Sequence, residues 1–426
     1  MNEPYDLVII GAGSAGLTAV NFARQFGAKT ALVERERIGG DCTWVGCVPS
    51  KALLHAAKMV QSARTAARMG LVTGVNGVSV DMARVRDYVQ QTIASVCQYE
   101  TPQIMAEQGV DVILEKARFR DAYNLEVGDR VIAGKKFLLA TGAHPFVPPI
   151  PGLAETPFIT YKHIFQVERL PQHLLVLGAG PIGVELAQAY GRLGAQVTLI
   201  DVGILPREDE EVGQVMEGVG RRANVEGMGL VEAGVAYGRD GIQVNDNLQT
   251  TAGHIYAAGD CLGGHQFTHF ASWQAYKAVR NALLPGSSKG HSDIVPWTIF
   301  TDPEVAQVGL TLAEAQVQYG DQATVIRQNL DRVDRAMTDN ALDGFIKMVR
   351  HRDGRILGAT IVAPRAGEMI SEVALAMQNN IKLAGMAHTI HPYPGYAIGM
   401  QALAADEVTN DFVNSRVGRI VRRLAG

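Results

Sequence analysis

The chain has 426 residues, enough for two to four domains, and its 47% hydrophobic and 19% charged residues describe a globular protein with a large core rather than a disordered one. Thirty-nine Lys and Arg against 43 Asp and Glu leave a net charge of -4, so no basic surplus points to nucleic acid or an acidic membrane as a partner. Four cysteines exclude a disulfide-stapled secreted scaffold, and no apolar run reaches the roughly 18 residues of a membrane helix. MNEP runs into YDLVIIGAG without a signal-peptide pattern, so the expected location is cytoplasmic, or organellar if a transit peptide has been removed.

Tyr5 to Ile10 is a short β-branched run with the character of a buried parallel strand. GAGSAG follows (Gly11, Gly13, Ser14, Ala15, Gly16), then a helical stretch to Gly27 and a second strand, TALVER, that reaches Glu34. In a dinucleotide fingerprint the first glycine makes the tight turn, the second lets backbone approach a pyrophosphate, and the third lets helix and strand pack closely. The helix N-terminus offers free N–H groups to phosphate, and the terminal acid meets a ribose hydroxyl. A Gly-rich tight turn alone is the plainer alternative, but strand, helix and acid in register favour nucleotide binding.

GGDCTWVGCVPSK (Gly39 to Lys51) comes next and places Cys42 and Cys47 on a Gly-rich stretch leading into the helix KALLHAAKM. A dithiol near a helix N-terminus has a stabilised thiolate. Redox, metal and inert readings are all open, although two thiolates alone do not complete a zinc shell and no second close pair exists; no metal site is expected. Cys97 and Cys261 read as buried small hydrophobes. Residues 52–70 and 82–108 read as long helices, and VDVILEKARF and KKFLLATGA as strands returning to the nucleotide site.

From Leu174 the fingerprint repeats in LLVLGAGPIGVELAQAYGRLGAQVTLID, with Gly178, Gly180 and Gly183 as its glycines and Asp201 as its acid. That acid accepts from a 2′-hydroxyl and repels a 2′-phosphate, a lean towards NADH that nearby Arg207 could soften. HIYAAGDC is a further strand, ending at Asp260, which is placed to reach a sugar-like cofactor chain. From about Trp297 the pattern changes: FIKMVRH and RILGATIVA read as antiparallel strands and EMISEVALAMQNNI as a helix, marking another domain.

Two dinucleotide sites around a Cys-x4-Cys pair followed by VPSK, with LLATGA, IYAAGDC before FTHFA, and HPYPG near the end, resemble the flavin-dependent pyridine nucleotide–disulfide oxidoreductases over nearly the full length. These include dihydrolipoamide dehydrogenase, glutathione reductase and mercuric reductase. The resemblance implies an α/β fold: two Rossmann-like dinucleotide-binding domains, the second truncated, plus a C-terminal α+β dimerisation domain. Residues 1–150 and 255–293 would form the FAD-binding domain, 151–254 the truncated NAD(P)-binding domain and 294–426 the dimerisation domain. FAD would lie on the first fingerprint, with Glu34 on its adenosine ribose and Asp260 on its ribityl chain. Gly40, Asp41, Ala117, Thr141, Gly142 and the Thr268–His269 segment would add further contacts. NAD(P)H would lie on the second. Cys47 would be the thiolate facing the flavin, Cys42 the thiol that attacks substrate, and Lys51 a cation beside the ring, paired with Glu185. A homodimer is implied, in which the partner chain completes the substrate site.

The chain departs from these relatives twice. After ILPREDEEVGQVM (Ile204 to Met216) it passes directly to EGVGRRANVEGMGL, without the several dozen residues that relatives carry there, so a damaged or rearranged NAD(P)H domain is expected. Disulfide-reducing relatives also carry His-Pro-Thr with a Glu four residues after the Pro, a pair that protonates the departing thiolate. Here HTIHPYPGYAIGM offers Tyr393 in the His place and Ile398 for Glu in one register, or His391 with Tyr396 for Glu in the other. Mercuric reductases resemble the first register, but this chain ends RVGRIVRRLAG without their C-terminal cysteine pair. Either His391 or Tyr393 is therefore a candidate at the substrate site, with loop histidine and interface tyrosine as the plainer readings. Three functions follow: reduction of a soft metal-ion or small-molecule acceptor in the manner of mercuric reductase; reduction of lipoamide or another disulfide; or a non-catalytic flavoprotein with a defective nicotinamide domain.

Overall fold

The strand Leu7–Ile10 alternates its side chains between two cores: Leu7 and Ile9 pack with the helix Ser14–Gln25, Val8 and Ile10 with Phe119, Leu125 and Phe137. Burial on both faces explains its unbroken apolar sequence. In the computed structural model, which describes residues 3–72, 77–201 and 220–425, this strand is the centre of a five-stranded parallel sheet. The order is Ile255–Ala257, Phe137–Leu139, Leu7–Ile10, Thr30–Glu34, Val110–Leu114. The helix Thr268–Leu283 lies beside Ser14–Gln25 on one face. An antiparallel meander (Ala117–Phe119, Asn124–Val127, Arg130–Ala133) covers the other.

The described residues fall into two compact units, one of residues up to 174, 189–197 and 220–292, the other of 175–188, 198–201 and 293–425. In the second unit a five-stranded antiparallel sheet runs Trp297–Ile299, Glu304–Gly309, Ile356–Ala363, Phe345–His351, Ala323–Asn329. The helices Ala366–Gln378 and Ile398–Asn414 bury Met369, Ile370, Val373, Met400 and Leu403 in its core. The α/β architecture with a C-terminal α+β domain is thus present.

Two helices differ from their sequence reading. The helix expected from residue 52 begins at Cys47 and runs to Arg68, so the cysteine occupies its first position. The stretch 82–108 divides into Met82–Cys97, capped by Asp81, and Pro102–Glu107, because Thr101 accepts from the Ile104 N–H at 3.3 Å and Pro102 starts a new helix. The second fingerprint is carried by the strand His173–Leu177, the helix Pro181–Leu193 and the strand Gln196–Ile200, and its strands form a sheet of only two among the described residues. Arg207 and the junction after Met216 lie outside the described residues. Beyond them Arg221–Ala223 pairs antiparallel with Ala143–Pro145.

Among the described residues no helix is long and apolar enough to cross a membrane, and no group of three or more His, Cys, Asp or Glu could hold a metal ion.

Candidate active site

Gly11 has φ +104°, and a Cβ there would stand 2.3 Å from the Ala140 carbonyl oxygen. A Cβ on Gly16 would stand 1.9 Å from the carbonyl oxygen of Gly11, so only glycine lets the helix sit on the turn. Gly13 precedes Ser14 and Ala15, the first two residues of that helix, and a Cβ on it would meet nothing nearer than Gly40 at 3.9 Å. Glu34 is 9% exposed, accepting from the Ala12 N–H at 2.7 Å and the Glu36 N–H at 2.8 Å, so the carboxylate fixes the turn. The second fingerprint repeats this construction. Gly178 has φ +105°, a Gly183 Cβ would stand 1.9 Å from the Gly178 carbonyl oxygen, and Asp201 accepts from the Ala179 N–H. Both open turns with helix N–H groups facing them suit a dinucleotide pyrophosphate, and FAD and NAD(P)H fit these two cradles.

Beside the first cradle, Cys42 lies in the short helix Gly40–Trp44 and Cys47 opens the next one. The two thiols share a hydrogen bond; that bond and burial push the Cys42 thiol well above its ordinary range, while Thr268 and Ser14 oppose the shift. Cys47 is exposed, and its sulfur lies 3.2 Å from the Thr268 hydroxyl at the start of the helix Thr268–Leu283. The chain therefore brings the dithiol, Ser14 and Thr268 together. Lys51 follows one turn after Cys47 on the same helix. Thr141 and Gly142 follow the strand Phe137–Leu139, and Asn224 clamps them: its side chain donates to the Thr141 carbonyl at 2.7 Å and its N–H to that of Gly142 at 2.9 Å. Ala117 stands at the start of the meander, and Glu185, 4% exposed, accepts from the Phe300 N–H at 2.9 Å.

Sequence reasoning missed Arg221. Its guanidinium donates to Asp260, to Asp41 at 3.0 Å and to the Tyr161 hydroxyl at 3.3 Å, and Tyr161 in turn donates to Asp41 at 2.8 Å. Burial raises the Asp260 carboxyl above its usual range and Arg221 opposes the rise. No local signal marked it, because only the fold brings Arg221 to the strand end that carries Asp260, 39 positions away.

The His391 ring is turned inward: Nε2 lies 2.9 and 3.1 Å from the two Glu372 carboxylate oxygens, and Nδ1 3.0 Å from the Thr389 carbonyl. Its side chain is 6% exposed. The carboxylate partner thus comes from the helix Ala366–Gln378, 19 residues upstream, where no local spacing rule would find it. Tyr396, the Glu position in the His391 register, is buried and donates to Asp339 at 3.0 Å. Tyr393 is 69% exposed and donates to Asp334 at 2.7 Å. Cys261 is buried, as its sequence context predicts, whereas Cys97 is only half-buried.

The family profile "Pyridine nucleotide-disulphide oxidoreductase" matches residues 5–218 and 206–275, and the dimerisation domain of the same family matches 295–403. The chain belongs to this family of oxidoreductases. It is 32% identical to a mercuric reductase of Staphylococcus aureus, covering 94% of this chain and 82% of that protein. It is also 32% identical to a dihydrolipoyl dehydrogenase of Bacillus subtilis, covering 95% and 99%. Among solved structures, the Cu(II) complex of the HOCl-induced flavoprotein disulfide reductase RclA from Escherichia coli superposes with a TM-score of 0.81 at 26% identity, covering 94% of this chain and 99% of that one. Members of the family use FAD and NAD(P)H, and the chain carries the family's dimerisation domain.

Proposed function

We propose that this chain passes electrons from NAD(P)H through Cys42 and Cys47 to a soft metal-ion acceptor such as Hg(II), in the manner of mercuric reductase. The observation that carries this reading is the arrangement at 391–396. The His391 side chain has both ring nitrogens engaged and is only 6% exposed, while Tyr393 is exposed, with its hydroxyl donating to Asp334. A thiophilic metal ion needs two sulfur ligands and no proton donor for a leaving thiolate, so an exposed tyrosine suffices where a disulfide substrate would need an acid. Similarity to mercuric reductases supports a soft-metal substrate.

FAD, when bound, supplies two-electron transfer between nicotinamide and sulfur. The first fingerprint with Glu34, Gly40, Asp41, Lys51, Ala117, Thr141, Gly142, Asp260 and Thr268 would hold it, and Gly178, Gly180, Gly183, Glu185 and Asp201 would hold NAD(P)H. The protein's own part is to keep Cys42 and Cys47 in contact, to retain a proton on Cys42 until an electrophile arrives, and to place a cation at Lys51. Burial of the metal between partner chains would complete the site in the homodimer.

The Glu372–His391 pair favours a second reading, because a histidine oriented by a carboxylate is what disulfide reduction requires. Purified protein assayed for NADH oxidation with Hg(II) and with lipoamide separates the two. The first reading expects Hg(II) turnover that survives His391→Ala. Lipoamide turnover lost in His391→Ala overturns it.

A further inference from the structure

The sequence RVGRIVRRLA forms the helix Arg416–Ala425, and it contains four arginines and no acid. At about 100° per residue, Val417, Ile420, Val421 and Leu424 fall within an arc of roughly 100°, and Arg416, Arg419, Arg422 and Arg423 occupy a separate arc of roughly 120°. All eight side chains are exposed, Leu424 at 82%. Gly418 lies between the arcs and is buried: a Cβ there would stand 2.1 Å from the Phe412 carbonyl oxygen, at the end of the helix Ile398–Asn414. Ser415 accepts from the Gly418 N–H at 3.0 Å and caps the turn between the two helices. The helix is therefore seated through Gly418 and holds its apolar arc away from the domain, with half-exposed Phe412 near its start.

We propose that this helix is a docking surface for an anionic phospholipid bilayer. An apolar stripe flanked by charges of one sign matches the layered chemistry of a lipid interface: guanidinium groups pair with phosphates while the aliphatic side chains enter the acyl boundary. A second copy of the chain is the poorer occupant. A two-fold contact through the apolar arc would leave the arginine arc, centred about 150° away on the helix, without a partner, and no acid on the helix compensates it. The match to the family's dimerisation domain also ends at residue 403, before the helix begins. The whole-chain charge of -4 does not oppose the contact, because screening over a Debye length of about 8 Å leaves the headgroups exposed mainly to the local arginines. Averaging charge over the chain is what hid this surface when composition pointed away from a membrane partner. The inference does not depend on the redox function.

Flotation of the full-length protein with vesicles tests it. The expected result is co-flotation with phosphatidylcholine vesicles containing phosphatidylglycerol, none with phosphatidylcholine alone, and release by high salt. The double variants Arg419→Glu/Arg423→Glu and Ile420→Asp/Leu424→Asp should each lower the bound fraction by roughly tenfold or more. Their circular dichroism and oligomeric state should be unchanged. Wild-type protein that stays at the bottom of the gradient overturns the proposal. Binding that survives both double variants also overturns it, as does sedimentation showing that the variants lose the dimer while vesicle binding never occurred, which would assign the face to a second copy.

Discussion

Arg221 joins two carboxylates and a phenol that no other described cation is shown to balance, and its side chain is only 18% exposed. Replacing it with leucine removes the charge that makes burial of Asp260 and Asp41 tolerable. Breaking such a pair from one side costs about 3–5 kcal/mol, which urea denaturation of Arg221→Leu should show. The sign of the pH dependence follows from Asp260, whose carboxyl is raised by burial and in the variant loses the cation that opposes the rise. A carboxyl with a raised folded-state pKa binds more protons folded than unfolded, so stability falls as pH rises from the ordinary Asp range towards that higher value. Arg221→Leu should therefore recover part of its loss when the pH is lowered from 7 towards about 5; a deficit independent of pH would mean the guanidinium acts only by packing. The acid was legible in GDC because it ends a strand, but its partner was not, since Arg221 lies 39 positions away and only the fold brings it back. Glu372 escaped for the same reason, 19 positions from His391.

At the level of the element, the strand–turn–helix fingerprints were readable because each step is fixed locally. The turn needs a positive φ, the helix needs a residue without Cβ, and the acid lies one strand later. Gly16→Ala and Gly183→Ala impose the same 1.9 Å collision in two places, which makes them a matched pair. We expect Gly16→Ala to lower the flavin content of the purified protein strongly. Gly183→Ala should leave flavin absorbance intact and weaken NADH, with the NADH concentration for half-maximal bleaching rising roughly tenfold or more, since relieving such a collision requires backbone movement of a kind that costs about 1–3 kcal/mol. Equal flavin loss in both would show that the second fingerprint serves only folding. The helix boundaries were less legible. The thiol pair was placed before a helix when Cys47 in fact begins it, because Ser50 is a ready cap residue before KALLHAAKM, whereas the actual cap, Gly46, makes no side-chain cap bond.

Across the whole molecule the two fingerprints share a sequence pattern but not a sheet. Leu7–Ile10 has paired strands on both sides and no residue above 6% exposure, whereas His173–Leu177 pairs with one strand among the described residues and leaves Leu175 57% and Leu177 43% exposed. The passage from Met216 to EGVGRR without the several dozen residues that relatives carry raises the expectation of a shortened nicotinamide domain, but periodicity could not say how much of the fingerprint's geometry would remain. The turn, the Gly183 approach and the Asp201 bond are all present on this reduced support. A two-stranded sheet has little buried apolar area to resist local opening, so its amides should exchange with solvent faster than those of Leu7–Ile10, by roughly tenfold or more. A ligand that binds only the closed form adds stability as RT ln(1 + [L]/Kd). Hydrogen exchange read by mass spectrometry should thus show peptides covering 173–201 slowed by NADH while those covering 7–34 are unchanged. If NADH alters neither those peptides nor the flavin absorbance under anaerobic conditions, the second fingerprint does not take the dinucleotide, and the dithiol must receive its electrons by another route.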